Sequence, residues 1–140
     1  MTPALLAALH AICFTTPRPW SETEFSDMLK ARGVFLLTRE HGFLLGRTIA
    51  DQSELLTLAV HPNRRRTGIA RALTAEFLTR SKELGATEVF LEVAATNHAA
   101  QALYKAMNFT LTGKRAGYYR TPEGGAVDAI LFSLRLPDVP

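Results

Sequence analysis

The stretch with the plainest chemical content is Leu56-Thr-Leu-Ala-Val-His-Pro-Asn-Arg-Arg-Arg-Thr-Gly-Ile-Ala70. An apolar strand runs into a basic, glycine-containing turn, and the turn opens directly into a helix. Such a turn aims unpaired backbone N–H groups and the positive end of a helix dipole at one point, which is how proteins hold phosphates. It lacks the lysine and spacing of a P-loop and the three glycines of a dinucleotide fingerprint. The ligand it predicts is therefore a pyrophosphate held mostly by backbone. Further along, Glu92 and Tyr104 carry groups that can move protons. Alternation from Thr87 to Val93 sets Glu88, Phe90 and Glu92 on one strand face and Val89, Leu91 and Val93 on the other; alone, that reads as a carboxylate facing solvent. Tyr104, on an amphipathic helix, reads alone as a half-buried core residue. Asn97, just before that helix, is a natural N-cap. His10, His41, His61 and His98 show no metal-ligand spacing, so no metal is expected. Cys13 reads as a small core residue rather than a nucleophile.

Positioning these groups requires a succession of short elements. Leu5, Leu6, Leu9 and Ile12 lie on one side of a helix from Pro3 to Cys13, broken by Pro17 and Pro19. Ser21 and Glu24 form a capping-box pattern that opens a second helix carrying Phe25, Met28 and Leu29. The β-type runs Val34–Thr38 and Phe43–Ile49 flank a polar turn and predict an antiparallel hairpin. A further strand from Glu54 to Val60 ends at His61-Pro62-Asn63. Ile69, Leu73, Phe77, Leu78 and Leu84 predict a long amphipathic helix ended by Gly85. A strand over Thr87–Val93, a helix from Asn97 to Met107 and a left-handed turn at Asn108 follow. Two strands, Phe109–Tyr118 and Val127–Leu136, complete the order. The fold class is mixed α/β, a mostly antiparallel sheet with a central parallel pair flanked by helices.

The chain has 140 residues, 47% of them hydrophobic and 21% charged, a balance that fits one domain over residues 1–140. At that size roughly two-thirds of the unfolded chain's surface is buried on folding, enough for a core without staples. A single cysteine excludes an internal disulfide. No run approaches the roughly 20 apolar residues of a membrane helix, and Thr2–Phe14 lacks the basic start of a signal peptide. The expectation is a soluble, cytoplasmic protein. Net charge is +3, concentrated at Arg64, Arg65, Arg66 and Arg71. No aromatics interleave with that cluster, so nucleic acid is not an expected partner.

The turn resembles the acetyl-CoA signature of the GNAT acetyltransferase superfamily: Arg or Gln, two residues, Gly, one residue, Gly or Ala. Arg65, Gly68 and Ala70 stand at those positions. The resemblance continues through Leu91-Glu-Val-Ala-Ala-Thr-Asn97, Ala102-Leu-Tyr104 and Met107-Asn-Phe109 in the family's order and spacing. It is closest to the bacterial ribosomal-protein alanine N-acetyltransferases, through Cys13-Phe14, Pro19-Trp-Ser21, Tyr118-Tyr119 and Asp128-Ala-Ile130. Two departures stand out. The family's short strand before the first helix has no counterpart here, and Asn108 replaces the usual glycine of its turn.

The resemblance implies an enzyme that moves acetyl from acetyl-CoA to a protein N-terminal α-amine, with a ribosomal protein as partner. It implies that the backbone of Leu58 and Val60 lines the pantetheine arm and that Arg65, Arg66, Thr67, Gly68, Ile69 and Ala70 cradle the pyrophosphate. Arg64 or Arg71 is then placed to reach the outer phosphates, and a backbone N–H near Val60 to serve as oxyanion donor. The strands around Leu56–Val60 and Leu91–Val93 should part to admit the thioester. Glu92 becomes the general base, acting through water, and Tyr104 the general acid for the leaving sulfur and a cofactor contact. Asn97 gains a polar contact to the cofactor, and Tyr118 and Tyr119 border the peptide groove. Physics supports an α-amine acceptor: with a pKa near 8 it is roughly one-tenth neutral at pH 7, against about one in 2,500 for lysine. A lysine or small-molecule acceptor, or a non-catalytic acyl-CoA-binding module, is the alternative, since fold does not fix substrate.

Overall fold

The computed structural model describes residues 1–137. Helices α1 (Pro3–Cys13) and α2 (Glu22–Lys30) precede strands β1 (Val34–Arg39), β2 (Gly42–Ile49) and β3 (Gln52–Val60). A short 3-10 turn, Pro62–Arg64, leads to α3 (Ile69–Glu83), then β4 (Glu88–Ala94), α4 (His98–Ala106), β5 (Thr110–Arg120) and β6 (Ala126–Arg135). These form one six-stranded sheet in the order β1-β2-β3-β4-β6-β5, in which β3 and β4 are the parallel pair. The mixed α/β class read from the sequence is the class observed. Among the described residues no strand precedes α1, and β1 forms the edge.

Local chemistry accounts for the element ends. The Ser21 hydroxyl accepts from the Glu24 N–H at 3.1 Å while the Glu24 carboxylate accepts from the Ser21 N–H at 3.0 Å, the reciprocal cap expected for α2. Asn108 sits at φ 71, the left-handed turn expected of it. β3 begins at Gln52, earlier than Glu54, because the reversal is tighter than its polar residues suggest: Ala50 takes a positive φ of 55 and Thr48 pairs with Ser53. β5 runs on to Arg120, past an irregularity between Arg115 and Tyr119 where Gly117 adopts φ 59. The Gly117 N–H donates to Asp128 Oδ1 at 2.7 Å, which fixes that bulge.

The sheet separates two apolar layers. On one side α3, with its buried Phe77, and α4 cover Leu44, Leu55, Val89, Leu91 and Phe132. Gly46 is required there: an added Cβ would lie 2.7 Å from Phe35 and 2.9 Å from Phe77, whose rings stack at 6.0 Å. On the other side α1 and α2 cover Phe43, Leu45 and Ala59 with Leu6 and Phe25. His10 lies in this second layer, 1% exposed, among the rings of Phe14, Trp20, Phe25 and Phe43. Burial pushes its pKa down to about 4, with the Glu24 carboxylate opposing.

This generates a pH signature. The unfolded chain binds a proton at His10 near pH 6.5 and the folded one only near 4, so stability is complete above about 6.5 and falls as pH drops towards 4. The loss from His10 is on the order of 3 kcal/mol. Glu24, held near 2 by Arg18 and the Ser21 N–H, contributes in a separate window below 4.5. Urea unfolding at stepped pH should show the first slope in wild type and a flattened one in His10→Gln; equal slopes in both proteins would contradict a neutral, buried His10.

Candidate active site

The site begins with a break in the sheet. β3 and β4 pair at Gln52↔Glu88, Ser53↔Val89 and Glu54↔Phe90 and not beyond, although both strands continue, to Val60 and Ala94. The strands part over the segments the resemblance indicated. At the parting β3 carries a bulge: Gly46 faces Leu55 and Leu45 faces Thr57, so Leu56 is an extra residue. The His61 N–H donates to the His41 carbonyl at 2.8 Å, which sets the alternation of hydrogen-bonded pairs along β2 and β3. Gly42↔Val60 and Leu44↔Leu58 are then non-hydrogen-bonded pairs. The backbone groups of Leu58 and Val60 therefore face the parted side of β3. The Val60 carbonyl accepts from the Cys13 thiol at 3.3 Å, which agrees with that direction. Burial raises the Cys13 pKa, against the opposing influence of Arg65, as suits a packed thiol.

At the end of β3 lies the basic turn, whose Arg65 acts on Cys13 of α1. Arg64 through Gly68 are exposed. Arg66 and Gly68 have φ of 65 and 86, and the Thr67 hydroxyl closes the turn on the Arg64 carbonyl at 2.6 Å. Gly68 is the N-cap of α3 and supplies no side-chain cap, so the first N–H groups of α3, at Ile69, Ala70 and Arg71, are open. A Cβ built on Gly68 meets nothing within 4 Å. Open donors, a helix N-terminus, unoccluded space and four nearby arginines fit a bound pyrophosphate.

The other end of the cleft is a cavity lined by Leu58, Glu92, Asn97, Tyr104 and Tyr119, which brings together both proton-transfer candidates and three further residues singled out from the sequence. Val89, Leu91 and Val93 go to the α3/α4 layer, and Glu92 takes the opposite face, with its side chain 22% exposed. It does not face open solvent: Arg115 on β5 pairs with it at 3.3 Å and lies 5.1 Å from the centre of the Tyr118 ring. Tyr104 is 4% exposed and packs edge-on against Phe109. Burial pushes its pKa well above the ordinary phenol value, so the hydroxyl stays protonated. Asn97 caps α4 by accepting from the Ala100 N–H at 3.1 Å, and it also lines the cavity. The tyrosine pair divides. Tyr119 is half-buried in the cavity wall with its pKa pushed up to about 12, by burial first and then by the Glu92 carboxylate, whereas Tyr118 is 52% exposed outside the cavity.

Part of the cavity was not visible in the sequence. His10, Phe14 and Trp20, from α1 and the segment after it, form one wall, and Thr57 beside the bulge forms another. In the sequence Trp20 stood out only within Pro19-Trp-Ser21, and His10 only as a histidine without metal spacing. Their shared signal is spatial: His10 Nδ1 accepts from the Trp20 N–H at 2.9 Å and Nε2 contacts Thr57 Oγ1 at 2.8 Å, a link spanning 47 positions. Glu54, paired with Arg47 at 3.4 Å, was also unmarked, and burial raises its pKa. Among the described residues no His, Cys, Asp and Glu set is grouped to hold a metal, and no helix is long and apolar enough to cross a membrane.

The sequence profile of the Acetyltransferase (GNAT) family matches residues 5–109. The [ribosomal protein bS18]-alanine N-acetyltransferase of Escherichia coli K12 is 32% identical over 137 residues, covering 95% of this chain and 92% of that protein. N-alpha-acetyltransferase RimI of Mycobacterium tuberculosis is 32% identical over 123 residues, covering 81% and 76%. Among solved structures, the Escherichia coli ribosomal-protein-S18-alanine N-acetyltransferase superposes with a TM-score of 0.85 at 29% identity, covering 99% of this chain and 89% of that one. Arabidopsis thaliana NAA60 in complex with acetyl-CoA shares the fold at a TM-score of 0.82 and 22% identity, covering 96% and 93%. With its parted parallel strands, open glycine turn and these matches, the chain belongs to the GNAT acetyltransferase family, as an acetyl-CoA-dependent N-acetyltransferase.

Proposed function

We propose that this protein acetylates the N-terminal α-amine of a protein, a ribosomal protein being the acceptor its relatives indicate, and that it acts in the cytoplasm. The observation that carries the reading is the cavity in which Glu92 and Tyr104 meet at the parted end of β3 and β4, on the line that runs along Leu58 and Val60 to the glycine turn. Acetyl-CoA supplies an activated thioester. The chain's own residues supply position and proton handling.

In this reading the open N–H groups of Ile69 and Ala70, with the turn Arg65-Arg66-Thr67-Gly68, hold the pyrophosphate, and Arg64 or Arg71 reaches the outer phosphates. The backbone of Leu58 and Val60 on the parted side of β3 binds the amide-bearing arm as an added strand would, and the Val60 N–H serves as oxyanion donor. Asn97 adds a polar contact to the same molecule. Glu92 accepts a proton from the acceptor ammonium through water, and Arg115 keeps its carboxylate oriented. Tyr104, held neutral by burial, donates its proton to the departing thiolate. Tyr119 borders the acceptor groove from inside the cavity, and Tyr118 borders it from the exposed rim.

Glu92→Gln should lower kcat by on the order of 100-fold, with acetyl-CoA affinity unchanged by calorimetry; unaltered turnover would remove Glu92 from the mechanism. Gly68→Glu should abolish acetyl-CoA binding by placing bulk and negative charge in the cradle. Gly68→Ala, which carries the same backbone strain without charge or length, should retain more of it; equal retention by both would refute the cradle. The acceptor is tested with a peptide panel bearing free or blocked N-termini, scored by acetyl-CoA-dependent mass gain. Free N-termini should be modified, and activity confined to lysines of blocked peptides would overturn the α-amine assignment.

A further inference from the structure

Thr57 is 8% exposed, lines the cavity from β3, and has a hydroxyl whose donor and acceptor roles the surrounding bonds determine. The backbone N–H of Trp20 can only donate, so His10 Nδ1 is the acceptor at 2.9 Å. The ring is neutral at pH 7, so Nε2 carries the hydrogen, and Thr57 Oγ1 at 2.8 Å must accept it. The Thr57 proton cannot turn back to His10 and has no other partner among the described residues. A nearly buried hydroxyl is thereby left as a proton donor on a cavity wall, a group whose unmet bond is costly. It lies beside the bulge, on the strand that faces Glu92 across the parting.

We propose that Thr57 is a specificity-determining residue, its hydroxyl donating to the carbonyl oxygen of the acceptor's first residue, and that His10 is the positioning residue that holds it in the donor state. The inference rests on the α-amine reading and deepens it. A peptide α-amine has a carbonyl two bonds away, and a lysine side-chain amine has none, so one fixed donor at this place separates the two classes. A site built to hydrogen-bond a substrate group rejects the analogue lacking it, because the buried donor is then left unpaired. The ring of His10 is well suited to fix this geometry, since it is locked between four aromatic neighbours.

The test uses the full chain with two acceptors: a free-N-terminus peptide beginning with alanine, and the same peptide with a trans-alkene in place of its first peptide group. Wild type should prefer the normal peptide in kcat/KM by tenfold or more. In Thr57→Val that preference should collapse towards the value set by the two amines' basicity, and Thr57→Ser should restore it, with acetyl-CoA affinity constant throughout. His10→Phe, which keeps an aromatic ring but neither hydrogen bond, should reduce the preference as well. The ratio is taken on one enzyme pool, so a variant that folds incompletely still reports it. A preference unchanged in Thr57→Val overturns the inference, and so does an equal loss on both acceptors, which would mark the hydroxyl as a water ligand. Failure of wild type to acetylate the normal peptide sinks the α-amine reading and this inference with it; wild-type activity with an unchanged ratio sinks this one alone.

Discussion

The parting of β3 from β4 after the Glu54↔Phe90 pair is the constraint on which the rest of the molecule depends. A strand edge in the middle of a sheet exposes donors and acceptors that a folded chain normally pairs. Here the opening is kept by structure on both flanks. β4 stays paired with β6 along Glu88 to Ala94, and β3 stays paired with β2 from Gln52 to Val60. The bulge at Leu56 changes the course of β3 where the partner is lost. The freed edge at Leu58 and Val60 is thus a binding surface made of backbone, which suits a ligand arm built of amide groups better than any set of side chains would.

The same opening explains why chemistry gathers at one end and charge at the other. Beyond the parting, α3 starts at Gly68 with its first N–H groups free, so unpaired donors stand at both ends of one path, on the edge of β3 at Leu58 and Val60 and at the start of α3. Between the strands, residues on opposite edges face a common space: Thr57 and Leu58 from β3, Glu92 and Val93 from β4, with Asn97 and Tyr104 following as β4 leads into α4. The α1–α2 segment closes this space from the side through Trp20 and His10. Two of the ion pairs on the sheet, Arg47–Glu54 and Arg115–Glu92, leave neither Glu54 nor Glu92 without a cation.

What was legible in the sequence follows from the range of the interactions involved. The capping box at Ser21, the left-handed Asn108, the Asn97 cap and the glycine turn are all set by residues within a few positions of one another, and each is found as read. The parting of the strands is different, because it depends on which registers are absent, and no local pattern encodes an absent pair. Resemblance supplied it; periodicity did not. Glu92 shows the same limit from the other side. Alternation assigned its face correctly, yet the solvent it was expected to meet is replaced by Arg115 and the cavity, because the Arg115 side chain reaches across that face from β5, two strands away in the same sheet. The β5 bulge at Gly117 likewise escaped notice, since its anchor, Asp128, lies on the next strand. Through that bulge Tyr119 enters the cavity and Tyr118 stays at the rim.

The His10–Thr57 contact shows why a composition-level view of charge and polarity misleads in a small enzyme. A net charge of +3 suggests a broad attraction to anions, but the arginines that matter are clustered at one turn, while at the acceptor end the Glu92 carboxylate shares one enclosure with the nearly buried neutral groups Thr57 and His10. In such an enclosure a neutral donor with a fixed hydrogen discriminates between ligands more sharply than a mobile surface charge, because water does not screen it and the side chain loses no further freedom on binding. The aromatic ring set around His10 makes that fixity possible. It lowers the basicity of the imidazole, keeps the ring neutral and leaves each nitrogen a single role. A packing cluster that looks purely structural therefore determines which way one hydrogen points in the cavity, and the fold of α1 onto the sheet is already part of the site's chemistry.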